Sequence, residues 1–207
     1  MNLPNKLSLI RLCLVPVILA VGIIPESILP FYASCVICAV LFIVTSLTDM
    51  LDGKIARKYG LITDFGKFID PVADKFMVIG TLFVILYKFE NLKYIMLATL
   101  IIVVFRELAV TSIRLVVSTG EGIVVAANNL GKIKTVSQVI AICTVFLEPV
   151  LQKLAEVIYE AVKHTDVAWR TDIVPLTWIT LAFSLIMTVW SGINYLASYW
   201  KYFDPEK

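Results

Sequence analysis

Six stretches of this chain are each long and apolar enough to be read as a helix crossing a bilayer, and this pattern constrains the fold more than any other feature. They lie near residues 7–24, 32–50, 71–89, 93–114, 133–152 and 173–200. About 20 residues rising roughly 1.5 Å each are needed to cover a hydrocarbon core of roughly 30 Å. Composition agrees: 59% of the 207 residues are apolar and 16% are charged, against roughly 45–50% and about 25% in average globular usage. A disordered chain, a collagen-like fibre and a disulfide scaffold are excluded. The expectation is an all-α integral membrane protein with six transmembrane helices, residues 1–207 forming a single domain.

Punctuation fits these segments. Pro25 and Pro30 flank the first turn, Pro71 is expected to open the third helix with Asp70 as its N-cap, and Asn128, Asn129 and Gly131 interrupt the chain before the fifth. The basic, then apolar N-terminus reads as a retained first helix, since many spans follow it. Orientation follows from Lys and Arg, which concentrate in cytoplasmic connections. One side collects Lys6, Arg11, Lys54, Arg57, Lys58, Lys67, Arg114, Lys132, Lys134, Lys201 and Lys207. The other has only Lys88, Lys93, Lys153, Lys163 and Arg170, so both termini are expected in the cytoplasm. The segment KLAEVIYEAVK between the last two spans is amphipathic and is expected on the outer surface.

Several residue types carry no chemistry on this reading. A net charge of +2 gives no basic excess for nucleic acid. Cys13, Cys35, Cys38 and Cys143 sit in apolar segments without a CxxC pair and read as small packing residues. The one histidine, His164, reads as a solvated loop residue. Trp190, Tyr195, Tyr199, Trp200 and Tyr202 read as an aromatic belt at the inner interface.

The informative stretch is DMLDGKIARKYGLITDFGKFIDPVADK, residues 49–75. Asp49 and Asp52 stand at i, i+3 and Asp70 and Asp74 at i, i+4, so each pair shares a helix face. The second span runs into the first pair and the third begins at the second, which gathers four carboxylates at the mouth of a helical hairpin. Four negative charges near hydrocarbon repel and lose hydration, so they require cations or protons. Oxygen-only ligands suit a hard ion, Mg²⁺ or Mn²⁺, rather than zinc. Gly53, Ala56 and Gly66 leave room for a ligand near the backbone, and Arg57 offers a planar fork to a phosphate. This equipment suits phosphoryl transfer, with a carboxylate taking the proton of the attacking hydroxyl. A cation transporter could also use an Asp cluster at the mouth of a bundle, but it leaves Gly53, Ala56 and Arg57 unexplained.

With those residues in place the sequence resembles the CDP-alcohol phosphotransferases, whose signature is D-x2-D-G-x2-A-R-x8-G-x3-D-x3-D. It is matched here by Asp49, Asp52, Gly53, Ala56, Arg57, Gly66, Asp70 and Asp74, with every spacing kept. At roughly 5–7% per residue type, eight fixed positions coincide on the order of once in 10¹⁰ trials. The resemblance implies a six-span fold with an N-terminal interfacial segment, a homodimer, and two Mg²⁺ or Mn²⁺ ions held by Asp49, Asp52, Asp70 and Asp74. It also implies that Asp74 is the catalytic general base and that the CDP group lies beside Asp49, Asp52, Gly53, Ala56, Arg57 and Gly66. Asn5, Ser8 and Arg11 are similar to the family's donor-side lead-in, with Ser8 where Thr is common.

The fourth segment carries the clue to the acceptor. Its uninterrupted run from Tyr94 to Phe105 spans only about 18 Å at 1.5 Å per residue, which puts Arg106 and Glu107 within bilayer depth. Arg114 follows about 80° round the helix, and Lys132 and Lys134 return from the next loop. Arg106, Arg114, Lys132 and Lys134 are expected to bind a phosphate on the acceptor, unless Arg106 is spent on an ion pair with Glu107 or another helix and the others solvate the cytoplasmic side. The segments around them look like the family branch that joins CDP-diacylglycerol to sn-glycerol 3-phosphate at the cytoplasmic membrane, with the active site facing the cytoplasm. A cardiolipin or other phospholipid synthase of the same family would keep the carboxylates and change the acceptor. A prenyl diphosphate transferase spaces its acidic motifs differently.

Overall fold

The computed structural model describes residues 2–59, 63–120, 129–163 and 174–200, and their side chains except those of residues 3, 4, 50–59, 64, 67, 119, 120 and 163. Among the described residues the elements are helical throughout: α1 (Leu3–Ile23), α2 (Phe31–Tyr59), α3 (Asp64–Lys88), α4 (Lys93–Gly120), α5 (Asn129–Lys163) and α6 (Pro175–Tyr199), with one 3₁₀ turn at Glu90–Leu92. Four helices are long and apolar enough to cross a membrane, over Asn5–Ile23, Phe31–Asp49, Asn129–Val162 and Pro175–Tyr199. Helices α3 and α4 are as long, at 25 and 28 residues. Their apolar runs are cut by Asp70, Asp74 and Lys75 in one and by Arg106, Glu107 and Arg114 in the other.

Two helix boundaries differ from expectation. Helix α3 starts at Asp64, with Thr63 as N-cap accepting the Gly66 N–H at 3.0 Å, so Asp70 is not a cap and Pro71 does not open the helix. Pro71 stands about two turns inside this capped helix, where it removes one amide donor at a cost of about 3 kcal/mol, which the packing of α3 against α1 offsets. The segment KLAEVIYEAVK is no separate surface helix; it continues α5, which runs 35 residues through Pro149. Its Lys, Leu, Ala and Glu are strong helix formers, and Lys153 and Glu156 pair at 2.7 Å along the helix. His164 lies outside the described residues.

Helix α1 packs against α2 and α3, α5 packs against α6 and α2, and α4 joins α6 and α3. The core between them includes Ile18, Cys35, Cys38, Phe42, Ile85, Met96 and Phe146. Close approach of α1 to α3 depends on Gly22, where a Cβ would stand 2.2 Å from Val84 Cγ1. Cys35 and Cys38 are packing residues as expected, Cys143 is half-buried and Cys13 is exposed on the outer face of α1. At the start of α6 no side chain of Val174 caps the helix. Glu148 of α5 takes that place, accepting the N–H groups of Leu176 at 3.0 Å and Thr177 at 2.6 Å. A carboxylate at a helix N-terminus satisfies two orphan donors and complements the macrodipole.

Candidate active site

Three helices meet where the sequence gathers its carboxylates. Arg11 projects from α1 and is fully buried, an arrangement that a guanidinium tolerates only with ionised partners. Its Nη1 lies 2.7 Å from Asp49 Oδ1 on α2 and 2.5 Å from Asp74 Oδ1 on α3. One turn earlier, the buried Ser8 donates to Asp70 Oδ1. One turn earlier again, Asn5 Oδ1 accepts from Thr63 Oγ1 at 2.9 Å, and Thr63 in turn accepts from the Gly66 amide. The face of α1 bearing Asn5, Ser8 and Arg11 thus indexes α3 turn by turn. Gly66 is glycine because Asn5 fills its space: a Cβ there would stand 2.9 Å from Asn5 Oδ1.

The backbone of Asp52, Gly53, Ala56 and Arg57 continues α2; their side chains lie outside the described ones. Among the described residues no three His, Cys, Asp or Glu side chains form a metal-holding group. The donor set nonetheless fits a divalent cation. Asp49, Asp70 and Asp74 offer oxygen only, the donor type that suits a hard ion, and Arg11 and Ser8 gather all three at one place.

A second cluster of opposite sign forms where α4, α5 and α6 meet. Arg106 Nη1 donates to Glu107 Oε1 at 3.0 Å and its Nη2 to Ser191 Oγ of α6 at 2.7 Å. Lys134 of α5 pairs with the same Glu107 oxygen. The Arg106, Glu107 and Lys134 side chains are 11%, 16% and 6% exposed. Arg114 Nη2 donates to the Tyr195 hydroxyl at 2.8 Å. Arg106 therefore does make the ion pair with Glu107 weighed against a ligand role, yet that one carboxylate is shared between two cations. The structure brings Arg106, Arg114 and Lys134 together. Lys132 is exposed and instead borders an apolar groove of about 450 Å³ between α5 and α6, lined by Val136, Ile140 and Phe183. The two clusters touch through Lys75, next to Asp74, which donates to Thr111 Oγ1, whose hydroxyl donates to the Glu107 carbonyl at 2.7 Å.

Three parts of this arrangement are not legible in the sequence. Arg11, counted both with the cytoplasmic cations and with the donor-side lead-in, bridges two motif carboxylates. Ser191 was not singled out. Tyr195 is 2% exposed and holds an arginine, so it is not part of an interfacial belt; Trp190 and Trp200 are exposed as a belt requires. Tyr202 lies outside the described residues. The signal for Ser191 and Tyr195 was their i, i+4 spacing, which puts two polar groups on one face of an apolar helix.

Comparison with known proteins places the chain in a family. The family model for CDP-alcohol phosphatidyltransferase matches residues 1–190. A Bacillus subtilis protein named CDP-diacylglycerol–glycerol-3-phosphate 3-phosphatidyltransferase is 37% identical over 210 residues, covering 97% of this chain and 96% of the relative. Proteins of the same name from Rickettsia felis and Yersinia enterocolitica are 31% and 29% identical, each covering at least 97% of this chain and 96% of the relative. Since the match runs through all six helices and takes in the Asp49–Asp74 signature, the chain belongs to the CDP-alcohol phosphatidyltransferase family.

Proposed function

We propose that this protein transfers the phosphatidyl group of CDP-diacylglycerol to sn-glycerol 3-phosphate, giving phosphatidylglycerophosphate and CMP. The observation that carries the acceptor is the cluster on α4, α5 and α6, where Arg106 and Lys134 share the Glu107 carboxylate and Arg114 donates to the neutral Tyr195 hydroxyl, three cations to one anion among these side chains. A phosphate monoester carries about −1.5 to −2 charges at pH 7, so Arg106, Arg114 and Lys134 match it in sign and amount. Lys132, at the exposed end of α5, would serve as an outer contact. A neutral polyol would leave that charge uncompensated at bilayer depth. The names and full-length coverage of the bacterial relatives support the same acceptor.

Asp49, Asp52, Asp70 and Asp74 would hold two divalent ions, Mg²⁺ or Mn²⁺, which when bound neutralise the pyrophosphate of the donor. Asn5, Ser8, Gly53, Ala56, Arg57 and Gly66 would border the CDP group. Asp74 is the general base: it takes the proton of the acceptor hydroxyl, whose oxygen forms a bond to the phosphorus bearing the diacylglycerol, while the bond from that phosphorus to the CMP oxygen breaks and CMP leaves. Arg11, bonded to Asp74 and Asp49, orients the base toward the acceptor. Lys75 and Thr111 set the distance between the base and the acceptor phosphate. In the membrane, all six helices would span, with α3 and α4 placing their charged ends in the site, both termini cytoplasmic and two copies forming a homodimer.

The test is CMP release by purified protein in mixed micelles with CDP-diacylglycerol and Mg²⁺, with and without glycerol 3-phosphate. Release that requires glycerol 3-phosphate and yields a phosphorylated glycerolipid supports the reading. Release that ignores it and responds to serine, an inositol phosphate or phosphatidylglycerol overturns the acceptor while keeping the reaction class.

A further inference from the structure

We infer that Tyr195 is a positioning residue for the acceptor: one buried ring and its hydroxyl hold the Arg106 and Arg114 guanidiniums at the spacing that receives the acceptor's phosphate. The inference rests on the acceptor reading above and adds what fixes its geometry. Arg106 and Arg114 are eight residues apart on α4, about 12 Å along the axis, and nothing on α4 itself aims them at a common point. Both nevertheless converge on Tyr195, with guanidinium carbons 5.8 and 5.2 Å from the ring centroid, and Arg114 also donates to its hydroxyl at 2.8 Å. Two like charges on one ring repel, and a buried aromatic face is among the few neutral surfaces that attract both.

The neighbouring turns of α6 complete the template. Ser191, one turn before Tyr195, accepts from Arg106. Gly192 lets the Arg106 stem lie against the helix, since a Cβ there would stand 3.2 Å from Arg106 Cγ. Tyr199, one turn later, stacks on Tyr195 at 6.3 Å between centroids and 18° between planes, which fixes the ring's tilt. The arrangement keeps a donor in reserve: Arg106 Nε is buried with no acceptor among the described residues. A purely structural cluster would leave that N–H unsatisfied at a cost, whereas an anion between the two guanidiniums supplies the acceptor. Tyr195 is thus the point where the shape of α6 is converted into the separation of two charges on α4.

The test is steady-state CMP release with CDP-diacylglycerol and glycerol 3-phosphate varied independently, for the wild type, Tyr195→Phe, Tyr195→Ala and Arg114→Ala, each checked by thermal unfolding in detergent. Losing the hydroxyl in Tyr195→Phe should raise the glycerol 3-phosphate KM about tenfold, as expected for a hydrogen bond to a charged group. Tyr195→Ala, which also loses the ring, should raise it roughly a further tenfold. The donor KM should stay within about twofold in both, with Phe partly rescuing Ala. If Tyr195→Ala does not fold, Tyr195→Phe decides alone. Should Arg114→Ala raise the acceptor KM while folded Tyr195→Phe leaves it unchanged, the inference is overturned and the acceptor reading stands. If neither substitution moves the acceptor KM, or CMP release does not need glycerol 3-phosphate, the acceptor reading fails and this inference fails with it. Donor and acceptor KM rising together in Tyr195→Phe would reduce Tyr195 to general support of α6 and overturn its positioning role.

Discussion

The two halves of the site are built as electrostatic opposites. On α1, α2 and α3, carboxylates of the motif converge on one guanidinium, Arg11; on α4, α5 and α6, cations converge on one carboxylate, Glu107. Arg11 is buried and the Glu107 side chain is 16% exposed, and each ties charges from two helices to one point. On the function proposed above, the first, donor half would take divalent cations and the second, acceptor half a phosphate. If so, damage to the donor half should appear in turnover or donor affinity, and damage to the acceptor half should appear in acceptor affinity.

The largest expected effect breaks the donor half at its base. Asp74→Asn keeps the shape and can still hydrogen-bond Arg11, but it cannot take a proton. Turnover should fall on the order of 10²–10⁴-fold, with the unfolding midpoint close to wild type because a polar partner for Arg11 remains. CMP release at saturating substrates is the measurement, and a variant with wild-type turnover removes Asp74 from that role. The second effect belongs to the other half. Arg114→Ala should raise the glycerol 3-phosphate KM about ten- to a hundredfold, the range for a lost charged hydrogen bond, while the CDP-diacylglycerol KM stays put. Equal rises in both constants would erase the division between the halves.

A smaller effect sharpens the comparison from the donor side. In Gly66→Ala the new Cβ would stand 2.9 Å from Asn5 Oδ1, so Asn5 must turn away and its contact with Thr63 is lost. A neutral hydrogen bond is worth about 1 kcal/mol, and the expected result is a roughly fivefold rise in donor KM with no change in acceptor KM. The two substrates can be titrated separately in the same assay, and a shift in acceptor KM alone would contradict the assignment of Gly66 to the donor half.

The halves were not equally legible in the sequence. The donor half rests on a motif whose spacing survives any uncertainty in helix ends, so Asp49, Asp70 and Asp74 could be named together. The start of the element beneath it differs from expectation, because Asp70 before Pro71 is a familiar helix opening and Thr63 an equally good cap seven residues before Asp70; the apolar pattern alone does not choose between them. Arg11 belongs to the lead-in that the resemblance places on the donor side, but its bridge to Asp49 and Asp74 is not legible, because charge counting along a chain says nothing about which helix a cation will face. On the acceptor side the cations could be picked out as unusual within an apolar run. Their wiring to Ser191 and Tyr195 could not, since those residues are more than 80 positions away and look like ordinary members of an apolar helix. Lys132 and Lys134 are two residues apart and so point to different sides of α5, which explains why only Lys134 joins the cluster.

The smallest effect on substrate affinity, at a residue whose role is stability, serves to separate charge from support. Glu148 lies on α5 outside both clusters and holds the N-terminus of α6 through the Leu176 and Thr177 amides. In Glu148→Gln one carboxylate oxygen is kept and the other is replaced by an NH₂ group facing a backbone N–H, so one hydrogen bond to a charged group is lost. That loss should destabilise the fold by about 1.5–3 kcal/mol, read as a lower unfolding midpoint in detergent. Because Ser191 and Tyr195 stand about 21 and 27 Å along α6 from Thr177, a stable fraction of the variant should bind glycerol 3-phosphate with a KM close to wild type. A KM that rises in step with the loss of stability would mean that the acceptor half depends on the general firmness of α6. Unchanged affinity in a destabilised protein would mean that the separation of Arg106 and Arg114 is set locally, by the face of α6 against which they lie.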